Sequence, residues 1–222
     1  VSIAALLGAV AMLSAFPPVR LSARRQNPDP KALVERAARK YQSIASFSAD
    51  FSQIIADSMI GTFRSQGRLV QAGESRLAMR FTDPQGEAIV MDGEHIWVYT
   101  PSTTPGQVLR LAIPSDPTYG PNVLAWILTN PGERYRFQYL RSDAVAGRSA
   151  DVIALEPLDR SLPFRDAVAW LDQYDHLPRR LEIRERSGQQ RTLILTGVQT
   201  NRRVSAGTFR FDVPPGVRVV DQ

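Results

Sequence analysis

From Ser46 onward, apolar and polar residues alternate with a period of two. In SFSADFSQI, Phe47, Ala49, Phe51 and Gln53 share one face, and Ser48, Asp50 and Ser52 share the other. Leu77, Met79 and Phe81 oppose Arg76, Ala78 and Arg80. Tyr135, Phe137 and Tyr139 oppose Arg134, Arg136 and Gln138, and Leu181 and Ile183 oppose Arg180, Glu182, Arg184 and Arg186. Successive strand side chains point to opposite faces, so these runs predict antiparallel strands with one dry and one wet face. They give about eleven strands, near 46–56, 59–71, 76–82, 87–92, 95–100, 107–112, 134–142, 150–157, 164–172, 177–186 and 190–199, with a short further piece near 208–213. Asp83-Pro84, Asp92-Gly93, Ser187-Gly188 and Pro214-Pro215-Gly216 are turn signals between or after them.

Before Ser46 the period lengthens. Leu33, Val34, Ala37, Ala38 and Tyr41 recur at helical spacing and predict an amphipathic helix over about 28–44. Asn27 or Asp29 is its cap, with a proline at the first helical position. A second short apolar segment, Pro121–Asn130 (PNVLAWILTN), is flanked by Pro114, Pro117, Gly120, Pro131 and Gly132 and reads as a second helix hinged at both ends. Eleven strands would make a sheet roughly 50 Å wide, whereas a helix covers a stripe of roughly 10 Å. An open sheet of that width would expose far more apolar surface than a soluble monomer tolerates. The sheet is therefore expected to curl around the helices. Periodicity does not say whether the inside is filled or hollow.

The 222 residues are 43% hydrophobic and 22% charged, ample for a buried core in an ordinary globular chain. Ile3–Phe16 is an uncharged apolar run, shorter than the roughly 20 residues that span a bilayer, and is followed by Pro17-Pro18, Arg20, Arg24 and Arg25. It reads as the hydrophobic region of an export signal, although no Lys or Arg precedes it; Ala15 and Ala23 are cleavage candidates. Residues 1–26 are thus expected to be an export or disordered segment, and 27–222 the functional domain.

There is no cysteine, hence no disulfide framework, thiolate metal site or attachment point for an N-terminal lipid. His95 and His176 are the only histidines, neither in a metal-ligand spacing, and no G-x-S-x-G, phosphate loop or H-E-x-x-H occurs. Asp172 and Asp175, next to Pro178, read as turn chemistry. No enzyme activity and no cofactor are expected. The formal charge of +5 is carried by 27 basic residues, of which only Lys31 and Lys40 are lysine. Arginines alternate with aromatics over 134–141 but fall on the opposite face, whereas a nucleic-acid stacking platform needs both on one surface. A solvated strand face is the reading, with no nucleic-acid partner, and some basic charge can assist approach to anionic lipid.

YQSIASFSADFSQ (Tyr41–Gln53), GRLV (Gly67–Val70), DPQGEAIVMDGEHIWVYTP (Asp83–Pro101) and FRFDVPPGVRVVD (Phe209–Asp221), in that order and spacing, resemble the periplasmic outer-membrane lipoprotein carriers of the LolA family over about residues 30–222. The resemblance implies a mainly β fold with a helical lid: an incomplete antiparallel β-barrel of about eleven strands around two or three short helices. It implies a soluble, exported, periplasmic protein. Such a carrier receives acylated lipoproteins from an inner-membrane ABC transporter and passes them to an outer-membrane acceptor. A non-transport lipid-binding or envelope-stress-sensing module on the same fold is the alternative, and a monomer is expected in either case. From pattern alone Met79, Phe81, Ile89 and Met91 are core positions; the resemblance implies that they line an acyl cavity. The set taken as lipid-binding is Tyr41, Phe47, Phe51, Leu77, Met79, Phe81, Ile89, Met91, Leu124, Ile127 and Leu128. Trp97 and Tyr99 read as packing within one hairpin. The family's well-known members carry an arginine just after the second long strand that bonds to the lid. Gly73 stands there in this chain, with Arg76 or Arg80 as available substitutes, Arg80 on the wet face.

Overall fold

The computed structural model describes residues 27–116 and 119–222; the expected export segment, 1–26, lies outside the described residues. Helix α1 (Pro30–Gln42) starts where the Asp29 side chain accepts the Lys31 amide at 3.0 Å, and Pro30 occupies the first turn. That is the Asp29 choice of the two caps the sequence offered. Its buried stripe is Val34, Ala37 and Ala38, and the two alanines let the helix approach its neighbours closely.

Twelve strands follow: β1 (Ser46–Asp57), β2 (Gly61–Ala72), β3 (Arg76–Asp83), β4 (Ala88–Asp92), β5 (His95–Tyr99), β6 (Gln107–Ala112), β7 (Tyr135–Val145), β8 (Arg148–Pro157), β9 (Phe164–Asp172), β10 (Pro178–Glu185), β11 (Gln190–Thr200) and β12 (Arg218–Asp221). Between β6 and β7 lie two short helices, α2 (Val123–Leu128) and α3 (Pro131–Arg134). The sheet runs β12-β6-β5-β4-β3-β2-β1-β11-β10-β9-β8-β7 and is open between β12 and β7. Its seam is β1, which pairs on one side with β2 (Phe51 opposite Gly67) and on the other with β11 (Phe51 opposite Leu195).

One apolar cluster gathers residues from β1 to β5, β7 to β11, α1 and α2. Residues so far apart in the strand order meet only because the sheet curls, as its width demands. Curling is helped where β2 meets β3. The pairing shifts register between Gln66 and Gly67, and a Cβ on Gly67 would lie 2.1 Å from the Arg80 carbonyl oxygen. Only glycine permits this approach, which gives a physical reason for the first residue of the GRLV block.

The C-terminal segment departs from expectation. Residues near 208–213 are not a strand; Ala206–Phe209 is a 3-10 turn, and the twelfth strand is β12, paired parallel to β6 with Arg218 opposite Gln107. The tail between them crosses the outer face of the sheet. Phe209 packs with Ala78, Ala88 and Val90, and Phe211 stacks on Trp97 with ring centroids 5.6 Å apart. The face read as wet at Ala78 is therefore dry, because a segment more than a hundred residues away covers it. Trp97 and Tyr99 pack against this tail rather than only within their own hairpin. Elsewhere on the outer face, arginines lie over indoles: Arg180 at 4.7 Å and Arg141 at 5.8 Å from the Trp170 ring centre.

Candidate functional site

The site is built from one face of the curled sheet and the helices lying on it. On β1, Phe47 and Phe51 point inward beside Gln53; on β3 and β4, Leu77, Met79 and Met91 do the same. All six residues of α2 are buried, so this helix is a plug inside the sheet rather than a cover on its rim. All eleven sequence-chosen residues belong to this one inner cluster: Phe47, Phe51, Leu77, Met79, Met91, Leu124, Ile127 and Leu128 are fully buried, and Tyr41, Phe81 and Ile89 are half-buried at its margins. Phe81 meets Phe51 edge-on, with centroids 5.1 Å apart.

The inside is largely filled. A cavity of about 230 Å³ lies between the end of α1, the start of β1 and α2, with Tyr41, Phe47 and Leu128 in its wall. A second, of about 180 Å³, lies between Met91, Ile113 and Pro121. Both are smaller than the roughly 300–1,000 Å³ of a typical small-molecule pocket. Of the eleven residues, Tyr41, Phe47 and Leu128 line the first cavity and Met91 the second; the others line neither.

Glu74 and Asn122 belong to both walls, and there the sequence reading missed the central feature. Asn122 precedes α2 and uses its side-chain oxygen as the helix cap, accepting the amides of Leu124 and Ala125 at 3.2 and 3.4 Å. Its amide nitrogen points the other way and donates to the Tyr41 hydroxyl (2.9 Å) and to Gln71 Oε1 (3.1 Å). The Tyr41 hydroxyl itself donates to Gln71 Oε1, and Gln71 Nε2 donates to the Gly73 carbonyl at 2.9 Å. Burial drives the Tyr41 hydroxyl up to about 12, against the opposing pull of Asn122 and Gln71 and with a smaller push from Glu74. It therefore stays a neutral donor at any physiological pH. Three side chains from α1, β2 and the α2 cap thus close a latch that lines the first cavity and meets the second at Asn122.

The latch stands where the lid arginine was expected. Gly73 contributes only its carbonyl, in a left-handed conformation at φ +64°. Arg80 lies outside and donates to the Arg210 carbonyl of the tail at 2.7 Å, so it does not serve the lid, and Arg76 is exposed. The latch could have been found in sequence by two signs. Gln71 is a polar residue at an inward strand position, and Asn122 is a cap-type residue right after a proline. The rest of α2 is anchored from behind: Trp126 Nε1 donates to the Gly120 carbonyl at 2.8 Å, the Tyr135 hydroxyl donates to the Trp126 carbonyl, and the Trp126 ring stacks on Phe164. Among the described residues, no helix is long and apolar enough to cross a membrane.

Residues 42–212 match the family model of the outer membrane lipoprotein carrier protein LolA. The chain belongs to the LolA family. The outer-membrane lipoprotein carrier protein of Haemophilus ducreyi is 28% identical over 192 residues, 83% of this chain and 82% of the relative. Among solved structures, a conserved uncharacterised protein from Thermus thermophilus superposes with a TM-score of 0.54 at 11% identity, covering 86% of this chain and 98% of that one. The Mycobacterium tuberculosis lipoprotein LppX superposes with a TM-score of 0.51 at 14% identity, covering 82% and 100%. At these identities the likeness is one of fold alone.

Proposed function

We propose that the chain is a non-catalytic periplasmic carrier that holds lipoprotein acyl chains against the inner face of its sheet. It takes them from an inner-membrane ABC transporter and surrenders them to an outer-membrane acceptor. Residues 27–222 are the lipoprotein-binding domain, and the eleven inner-face residues are the surface the acyl chains meet. One observation carries the reading beyond family membership. A continuous apolar face lies under α1 and α2, a hydrogen-bonded trio ties both helical pieces to β2, and cavities lie on two sides of its Asn122. Acyl chains too large for either cavity would enter by displacing α1 and α2 and taking over their apolar contacts, each buried methylene contributing about 0.8 kcal/mol.

The test is capture. The protein is mixed with 1-anilinonaphthalene sulfonate and then with a synthetic triacylated lipopeptide. Dye binding that the lipopeptide reverses is the expected result. A folded protein that takes up neither dye nor lipopeptide has a filled core, and the carrier reading is then wrong. In the cell, depletion should hold lipoproteins at the inner membrane.

A further inference from the structure

Opening the lid leaves a chemical debt at the latch. With α1 and α2 withdrawn from β2, the Tyr41 hydroxyl and the Asn122 amide lose Gln71 Oε1, the oxygen on which both converge. These groups face a site that fills with hydrocarbon, where an unpaired donor is costly. The tie between Tyr41 and Asn122 can survive, because both sit on the withdrawn helical elements. What opens is a pair of N–H and O–H donors aimed at one vacated oxygen position, in the wall of the first cavity, where Asn122 also borders the second.

Every acyl chain begins at a carbonyl carbon, and in an acylated protein that carbonyl belongs to an ester or an amide. We infer that Tyr41 and Asn122 form a carbonyl subsite, in which an ester or amide oxygen at the head of a bound acyl chain replaces Gln71 Oε1. The inference rests on the carrier reading and adds where the head of the ligand sits. The same donors close the empty protein and then grip the loaded one, so the closed latch is a template for the ligand's polar end. The hydrocarbon runs from there toward Phe47 and Leu128 on one side or Met91 on the other, which sets chain direction as well as place. It also gives the site a preference that a greasy cavity alone lacks: acyl over alkyl.

That preference is the measurement. Two lipopeptides with the same pair of C16 chains are compared by dye displacement on the full chain, one a glyceryl diester and the other the corresponding diether, which has no chain carbonyls. The wild-type protein should bind the diester about tenfold more tightly, in line with one to two hydrogen bonds formed away from water. Tyr41→Phe keeps the ring and removes the donor, and Asn122→Ser keeps a helix-capping oxygen and removes the amide. In the double variant the diester-to-diether ratio should fall to within twofold, whatever happens to the two absolute affinities, and Tyr41→Phe alone should fall between. A role confined to closing the lid would move both ligands together and leave the ratio intact. Equal binding of the two lipopeptides by the wild type, or an unchanged ratio in either variant, overturns the subsite and leaves the carrier reading standing. Binding of neither by the wild type overturns both. If the double variant does not fold, the Tyr41→Phe ratio decides alone.

Discussion

Asn122 and Tyr41 are 81 positions apart in the chain, yet the amide of one donates to the hydroxyl of the other at 2.9 Å, and both converge on Gln71. This contact joins the two helical pieces to each other, and Gln71 joins both to the sheet. Gln71→Leu removes the shared acceptor while leaving two buried donors behind. Unfolding in urea should show a loss of about 1–3 kcal/mol, and hydrogen exchange in α1 and α2 should quicken far more than in β8 to β10. Uniform quickening across the sheet would mean that Gln71 supports the whole fold rather than the closure.

Phe81 and Phe47 belong to the same apolar face but differ in burial, Phe81 half-buried and Phe47 at 2% exposure. A carboxylate at Phe81 can stay wet, so Phe81→Asp should lower lipopeptide capture by orders of magnitude with a loss of about 1–2 kcal/mol in stability. Phe47→Asp should cost more than about 4 kcal/mol. The paired readings are thermal midpoint and capture on the same preparations. A stability collapse in Phe81→Asp equal to that of Phe47→Asp would place Phe81 in the core and remove it from the binding surface.

Gly67→Ala tests the curl. The added methyl would sit 2.1 Å from the Arg80 carbonyl, so β2 and β3 must separate at the register shift. A loss of about 2–3 kcal/mol is expected, with chemical-shift changes centred on Phe81 and Phe51. A neutral Gly67→Ala would show that the strands can part there without strain.

Asp172 sets an acid limit on stability. Its carboxylate is 1% exposed, and burial alone would raise its pKa. Arg148, the amides of Asp175 and Tyr174, and Arg179 outweigh that and hold it at about 2, below its ordinary 3.8. Because the folded value is depressed, this contribution is fully present above about pH 4 and disappears as pH falls toward 2. Asp172→Asn should weaken the protein at pH 7 by about 1–2 kcal/mol, since Arg148 loses its closest charged partner while Arg179 keeps Asp175, and should flatten the stability profile between pH 4 and 2. An unchanged acid slope in the variant would shift the cause to other carboxylates.

What the sequence made legible follows from locality. Phe47, Ala49 and Phe51 announce an inward face by spacing alone, and Val34, Ala37 and Ala38 announce a helix stripe, because each pattern is contained in a few neighbouring residues. The outer burial of Ala78 and Val90 was not legible, since Phe209 covers them from the far end of the chain. The parallel pairing of β12 with β6 is hidden for the same reason. Gln71 and Asn122 were overlooked on other grounds: singly each looks like an ordinary polar residue near a turn, and only the fold shows that their side chains meet. The eleven apolar residues chosen from sequence do share one cluster, but which of them border open space depends on packing that no periodicity encodes.

The smallness of the two cavities also constrains how strongly this protein can hold anything. If acyl chains enter as proposed, space for them exists only in open molecules, so apparent affinity would be the affinity of the open form multiplied by its population among empty molecules. A lid shut in all but about 1% of them would weaken binding about 100-fold. The hold of Gln71 on the two helical pieces would therefore weigh against retention as well as against exposure of bare apolar surface. On the proposed function, a tighter latch would make a safer empty carrier and a more generous donor, and a looser one a stickier protein that yields its cargo slowly. On the carrier reading, Gln71 and Asn122 would in this sense be a dial for delivery, adjustable without altering any of the eleven residues proposed to meet hydrocarbon.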